Sequence, residues 1–382
     1  MSKASLIYQI ITKTKLTSQK NLTKNIFKEI KSLSRTEGGF LDNNNRKELW
    51  KIILNTSSRN KKMKYLKIDS EMKPHFDYLN WKKYEEININ SLQLKSIKEI
   101  ETIKKDFPRE QQYKQIERNN QNIDYSSLIY LYDNQNFNYL YYQGCLSLFY
   151  YFVHLYPENN HFEGINMFQR FSEIFLKDFL LNLEVKIDEK NKETSISTVK
   201  LLISNFLLDV SKECYLFLKE HDLICFELIV EWILCCFTHS ISDEEKSYRI
   251  LDFIICHNKI MVYIMVSFIL KNRFIKFCKS NNVKEDFDDG AFFKIIYEKT
   301  FNQEDFEDII GQSYQYYKAN KSRLKVILNK QEELKQTLPY TINGKIKGTL
   351  SIAFPEKKKK SNWPIILFIV ILFVSFSIYI FQ

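Results

Sequence analysis

The sequence predicts an all-α protein that ends in a single membrane-spanning helix, and three observations carry that expectation. Eight Gly and six Pro in 382 residues leave few positions that would break a helix. Apolar residues recur mostly at the three- and four-residue spacing of one helix face. From Trp363 to Phe381, nineteen consecutive positions carry no charge, and most are Ile, Leu, Phe or Val.

The terminal run comes first because it constrains everything before it. At about 1.5 Å per residue it reaches roughly 28 Å, close to the hydrocarbon thickness of a thin bilayer. Lys357, Lys358, Lys359 and Lys360 stand on its N-terminal side, as expected of a cytoplasmic flank. Trp363 and Tyr379 fall near the two interfaces, where amphipathic rings settle. Only Gln382 follows, so the expectation is a tail anchor inserted after synthesis, with the preceding domain in the cytosol. A buried terminal helix of a globular protein rarely stays apolar on every face for this length.

The chain before the anchor is long enough for one large domain or two small ones. Its expected organisation is a basic N-terminal extension at 1–33, a helical domain at 34–325, a flexible basic linker at 326–360 and the anchor at 361–382. Helices are expected at 45–55, 92–105, 125–134, 144–156, 164–182, 197–220, 223–240, 243–256 and 258–279, with surface loops at 55–65, 117–124 and 186–196. The run 223–240 is apolar enough to suggest a second span, but Glu227 and Glu231 would be costly at a bilayer centre. Ile260–Leu270 is too short to cross. Both read as core helices. Ser242 with Glu245 three residues on reads as a capping box for the helix at 243–256. Pro339, Gly344, Gly348 and Pro355 interrupt any long helix between domain and anchor.

The net charge of +10 is concentrated at the two ends. Four charges are the juxtamembrane lysines, and residues 1–35 hold eight Lys or Arg against one Glu. The middle is near neutral, which argues against a nucleic-acid-binding body. The N-terminal stretch has some features of a mitochondrial transit peptide, but its positive charge is Lys rather than Arg, so a solvated helix or tail is expected. The seven cysteines at 145, 214, 225, 235, 236, 256 and 278 contain no C-x-x-C pair and mostly lie in apolar helical runs, which predicts reduced, buried thiols. The six histidines show no ligand-pair spacing, so no structural metal is expected.

Three short stretches carry candidate chemistry. Gly38-Gly39-Phe40-Leu41 is followed by a helix that presents Arg46 and Trp50 one turn apart on a single face. In Ile103-x-x-Asp106-x-Pro108-Arg109 the proline ends a helix near Asp106 and delivers Arg109 on a loop, with Asp106 placed to hold the loop or orient the arginine. In Asn136-x-x-x-x-Tyr141-Tyr142-Gln143-Gly144 the glycine permits a tight turn that exposes the Gln143 amide, with Tyr141 packing beneath it. Each is unremarkable alone.

Taken in this order, the three stretches resemble the TBC-domain GTPase-activating proteins for Rab GTPases, whose G-G…R-x-x-x-W, I-x-x-D-x-x-R and Y-x-Q motifs they match. Trp232 with Phe237, then Arg249-Ile250-Leu251-Asp252, resembles the same family's W…F…R-x-x-D segment. The resemblance covers roughly residues 34–320. It is strongest to the tail-anchored members, through Asn136–Gly144 and the Trp232…Phe237-x-His239 segment.

The resemblance implies a GTPase activator that supplies catalytic residues in trans, rather than an enzyme with its own substrate pocket. GTP hydrolysis spreads negative charge over the γ-phosphoryl and the leaving oxygen, and an inserted arginine is worth about 10³–10⁵ in rate. By position Arg109 is the implied arginine finger and Gln143 the implied glutamine finger that orients water. Asp106, Tyr141, Gly144, Arg46, Trp50, Arg249 and Asp252 are the implied supporting residues. The implied partners are a Rab GTPase in its GTP form and a lipid bilayer. The chain needs no cofactor of its own, acting on GTP and Mg²⁺ bound to the Rab. An ER-to-Golgi Rab and the thin ER or early Golgi membrane are the expected setting. Two features depart from the family pattern: Glu110 follows Arg109 and can pair with it, and Cys145-Leu146-Ser147 replaces a more polar stretch. The alternative is a catalytically silent TBC domain that binds a Rab as a scaffold. A SNARE-type tether needs an unbroken heptad helix up to the membrane, which Pro339 and Pro355 forbid. No nucleophile–base pair recommends a conventional hydrolase.

Overall fold

The computed structural model describes residues 2–16, 24–56, 102, 105–106, 141–142, 144–156, 161–176, 184–186, 192–221, 226–280, 289–296, 298, 301, 304–326, 339–342 and 345–349. Arg109, Gln143 and the anchor at 361–382 lie outside them, as do the helices expected near 92–105 (save Thr102 and Lys105) and at 125–134.

Two helices open the chain, α1 (Lys3–Leu16) and α2 (Lys24–Leu33). They are basic, as the sequence indicates, but they are not a solvated extension. Ile7 and Ile10 of α1 and Ile26, Ile30 and Leu33 of α2 are buried in the main core. In α2 these positions follow the i, i+4, i+7 spacing of one face. A turn at 34–42 leads into α3 (Asn43–Thr56), which packs on α1. The next described helix, α4 (Cys145–His154), is buried along nearly its whole length. It packs on α5 (His161–Phe171), which continues as a π-helical turn at Ser172–Leu176. The two backbones come close at Gly164, where any side chain would collide with the Phe152 carbonyl.

The second half is organised around one long helix. The helix expected at 197–220 is two, α6 (Ser195–Val210) and α7 (Lys212–Glu220), because Ser211 leaves the helical region and its Oγ accepts from the Cys214 N–H at 3.2 Å. After α8 (Phe226–Leu234) and α9 (Glu244–Cys256) comes α10 (Ile260–Ser280). Every residue of α10 from Ile260 to Leu270 is buried. The reason is its company: α6, α7, α8, α11 (Asp289–Ile296) and α12 (Phe306–Ala319) all pack against it. An apolar run that could be mistaken for a span is thus the axis of a globular core. Among the described residues, no helix is long and apolar enough to cross a membrane.

Short strands add a feature the all-α expectation lacked. Strands β1 (Glu184–Lys186) and β2 (Lys192–Thr194) form an antiparallel hairpin across the region expected as a loop. Strands β3 (Pro339–Ile342) and β4 (Lys345–Thr349) form a second hairpin within the stretch expected as a linker. Pairing of Glu184 with Thr341 joins them into one sheet, in the order β2-β1-β3-β4. The body remains overwhelmingly helical.

Candidate functional site

Asp252 stands at the centre of the first cluster. It is fully buried, on α9, and three donors converge on its carboxylate. Oδ2 accepts from the Phe40 N–H at 2.9 Å and from Arg46 Nε at 3.3 Å, and Oδ1 accepts from Trp50 Nε1 at 2.7 Å. Burial pushes the Asp252 carboxyl upward, and the Arg46 charge and the Phe40 and Trp50 donors oppose that push. Burial likewise works against the Arg46 charge, yet Asp252 and Glu245 beside it keep its pKa above the ordinary arginine value. The guanidinium of Arg46 does not lie on Trp50, one turn away; it sits over the ring of Tyr248, 5.0 Å from the centroid.

The glycine pair is explained by the same carboxylate. Gly38 and Gly39 have φ of +73° and +52°. A Cβ on Gly39 would fall 2.5 Å from Asp252 Oδ2 and 3.0 Å from Arg249 Cδ. The turn therefore needs glycine both for its left-handed backbone and for its approach to Asp252.

Arg249, one turn before Asp252 on α9, clamps three segments. Its Nη1 donates to the Ser34 carbonyl at 2.9 Å and its Nη2 to the Thr36 carbonyl at 3.1 Å. Nε and Nη2 also make a bidentate pair with Glu307 at 2.6 and 2.7 Å. Glu307 additionally accepts from the Gly38 N–H at 2.9 Å. Burial alone would raise the Glu307 pKa; the Arg249 and Gly38 hydrogen bonds outweigh it and hold it below the usual carboxylate value. Lys3 of α1 closes the turn from outside, its Nζ donating to the Glu37 carbonyl at 2.5 Å. Arg46, Trp50, Arg249 and Asp252, flagged together in the sequence, thus belong to one buried network that fixes the start of the domain against α9 and α12. The cap of α9 differs from expectation by one residue: Asp243, not Ser242, accepts the Lys246 N–H at 3.1 Å.

The second cluster is built from described residues that stand near Arg109 and Gln143 in sequence. Asp106 is buried, and Tyr141 donates its hydroxyl to Asp106 Oδ2 at 3.1 Å. This bond joins a residue three before Arg109 to a residue two before Gln143. Tyr142 donates to the Leu234 carbonyl at 2.8 Å, which pins the turn to the end of α8. Gly144, the N-cap of α4, has φ of +93°, and a Cβ there would lie 2.5 Å from Cys235 Sγ. Cys235 Sγ in turn donates to the Gly144 carbonyl at 3.4 Å.

Sequence reasoning assigned no role to Lys3 or Glu307, gave Glu245 only a capping role, and assigned none to Tyr142, Cys235, Ser147 and His239 around the second turn. Glu307 carries no local signal, since it is one acidic residue in the first turn of a helix. His239 was visible as part of the Trp232…Phe237-x-His239 segment, but its partner could not be read from spacing. Among the described residues no cluster of His, Cys, Asp or Glu could hold a metal ion.

Comparison with known proteins agrees with this arrangement. The family profile described as the Rab-GTPase-TBC domain matches residues 43–276, more than half of the chain. No curated protein matches the chain. The matched region begins at α3, holds the Arg46–Trp50–Asp252 network and the Asp106–Tyr141 bond, and ends within α10, so the chain belongs to the Rab-GTPase-TBC domain family.

Proposed function

We propose that the protein is a GTPase-activating protein for a Rab GTPase, with Arg109 as arginine finger and Gln143 as glutamine finger. The observation that carries this reading is the Tyr141–Asp106 hydrogen bond. Two segments some 35 residues apart in sequence are tied together at positions flanking an arginine and a glutamine. That is what a two-finger mechanism requires. The arginine offsets charge developing on the γ-phosphoryl and the leaving oxygen, and the glutamine carboxamide aligns the attacking water. Asp106 and Tyr141 act through the fingers, keeping their spacing constant.

The substrate is the GTP-bound form of the Rab, which brings its own nucleotide and Mg²⁺. The uncharged run at 363–381 anchors the domain to a membrane, by preference the thin ER or early Golgi bilayer. Rabs act on membranes, so a shared bilayer raises the effective concentration of one against the other.

Single-turnover GTP hydrolysis across a Rab panel tests the reading. Wild-type protein should accelerate at least one Rab, and Arg109→Ala should lose about 10³–10⁵ of that acceleration. Gln143→Ala should also reduce it. A protein that binds a Rab in its GTP form but accelerates none would establish the silent scaffold instead, and an Arg109→Ala variant as active as wild type would remove Arg109 as the finger.

A further inference from the structure

We infer that His239 is a positioning residue for the glutamine-bearing turn, acting through Ser147; this rests on the two-finger reading above. His239 lies in the turn that follows α8, and that turn is strained. Cys236 and Phe237 have φ of +47° and +69°, a left-handed conformation that strains any residue with a side chain. Such strain persists only where surrounding structure imposes it.

The strained turn sits directly against Tyr142, Gly144 and Ser147. Leu234 accepts the Tyr142 hydroxyl at 2.8 Å, Cys235 Sγ reaches the Gly144 carbonyl at 3.4 Å, and His239 Nδ1 meets Ser147 Oγ at 3.0 Å. On its other side His239 Nε2 faces Glu231 Oε1 at 3.3 Å. The carboxylate can only accept, so it places the ring proton on Nε2 and leaves Nδ1 as an acceptor. The Ser147 hydroxyl then donates to Nδ1. Ser147 is fully buried in the first turn of α4, with its N–H on the Gly144 carbonyl at 3.2 Å. The chain Glu231–His239–Ser147 therefore orients one hydroxyl one turn after Gly144, the residue that follows Gln143 in sequence. With Ser147 buried, the arrangement has no route to a substrate and does not resemble a working nucleophile.

The ring nitrogens can be tested separately. In His239→Asn the side-chain oxygen occupies the Nδ1 position and still accepts from Ser147. In His239→Gln the amide occupies the Nε2 position and keeps only Glu231. Full-length protein in detergent is examined by hydrogen exchange of the peptide spanning 141–150 and by single-turnover hydrolysis at varied Rab concentration. His239→Gln and Ser147→Ala should speed exchange in that peptide alone and lower the saturated rate about 10- to 100-fold. The half-saturating Rab concentration should stay within about two-fold, because the fingers rather than the docking surface are displaced. His239→Asn should behave like wild type in both readouts. If Ser147→Ala and His239→Gln leave the exchange of 141–150 unchanged, the inference is wrong. It is equally overturned if they lower affinity and leave the saturated rate intact. If wild type activates no Rab, the proposed function fails, and the exchange pattern alone still decides whether His239 holds the turn.

Discussion

Replacing Asp252 by asparagine keeps the number of heavy atoms and changes little volume, yet the structure predicts a large loss of stability. Both carboxylate oxygens are committed to donors: Oδ2 to the Phe40 N–H and Arg46 Nε, Oδ1 to Trp50 Nε1. An asparagine must turn its NH₂ toward one of these sides, where it meets another donor and leaves a buried N–H unmade, at about 1–3 kcal/mol. It also removes the buried partner of Arg46, whose side chain is only 2% exposed. Breaking such a pair costs about 3–5 kcal/mol, a figure that overlaps with the first. Arg46 keeps Glu245 at 2.8 Å, but that carboxylate is 63% exposed and compensates poorly. The expected loss is about 3–5 kcal/mol, a large share of the about 5–15 kcal/mol that stabilises a typical domain.

Urea unfolding of the full chain in detergent, followed by fluorescence of the buried Trp50 and Trp232, reads this as a lower midpoint at unchanged slope. Arg46→Met is the informative companion. Without Arg46, Asp252 can take up a proton, and burial already drives it that way. Arginine stranded by Asp252→Asn has no such escape. Arg46→Met should therefore cost less than Asp252→Asn at pH 7. Its cost should shrink further toward pH 5, because a raised carboxyl pKa makes the folded state the better proton binder as pH falls. A loss below about 1 kcal/mol for Asp252→Asn, or a larger loss for Arg46→Met, would refute the network as the seat of this stability.

Other outcomes follow from the same geometry. Glu307→Gln should cost about 1 kcal/mol at pH 7, since the bidentate pair with Arg249 is partly open to solvent and screened. Because the folded Glu307 pKa is lowered, its contribution is full above the ordinary carboxylate value and lost as pH falls through the lowered one. The variant should accordingly flatten the acid limb of a stability–pH curve, and an unaltered limb would exclude Glu307 as its source. His257, half-buried between Phe253 and Tyr314 and beside Ser34, is pushed down to about 3 by desolvation, with the Lys31 and Arg35 charges adding to it. Between its ordinary value and that one the unfolded chain binds a proton the folded chain refuses, so His257 alone should remove about 2 kcal/mol between pH 7 and pH 5. Thermal unfolding of His257→Gln at the two pH values checks this, and an equal pH sensitivity in the variant would contradict it. Gly144→Ala combines a left-handed backbone with a Cβ 2.5 Å from Cys235 Sγ. It should reduce GTPase activation with little effect on Rab affinity, and adding Cys235→Ala should restore part of the loss by removing the colliding sulfur.

Much of the helical body and one whole network were legible in the sequence. Arg46, Trp50, Arg249 and Asp252 were recognisable as a set because their spacing matches a family pattern; that Arg46 and Trp50 meet on the Asp252 carboxylate was not, since the contacts span about 200 residues. The core character of α10 was readable because its apolar run, Ile260–Leu270, is too short to cross a bilayer. The end of the helix expected at 223–240 was not. It stops at Leu234 because Cys236 and Phe237 adopt left-handed conformations that neither residue type signals. The burial of α1 and α2 was present as a periodicity at Ile26, Ile30 and Leu33, but counting lysines pointed toward solvent. Charge describes a helix's outer face and says nothing of its inner one. The hairpin at 339–349 was hidden because the Pro and Gly residues that rule out a helix there are equally at home in a linker and in short strands. Arg109 and Gln143 themselves rest on sequence, and the residues around them supply their structural context.

The clamp on Arg249 has a consequence for how the protein is made. Its carbonyl partners at Ser34 and Thr36 are synthesised early, but Glu307 follows it by 58 residues. At about 5–20 residues per second the arginine waits roughly 3–12 s for its carboxylate. Through the later part of that interval α10 has been translated without α12, so the helix buried from Ile260 to Leu270 lacks one of the neighbours that cover it. Nascent chains halted before residue 307 should therefore stay protease-sensitive and bind chaperones, and chains extended past α12 should become resistant. Folding of this domain waits on α12, and the newborn protein depends on protection until that helix arrives.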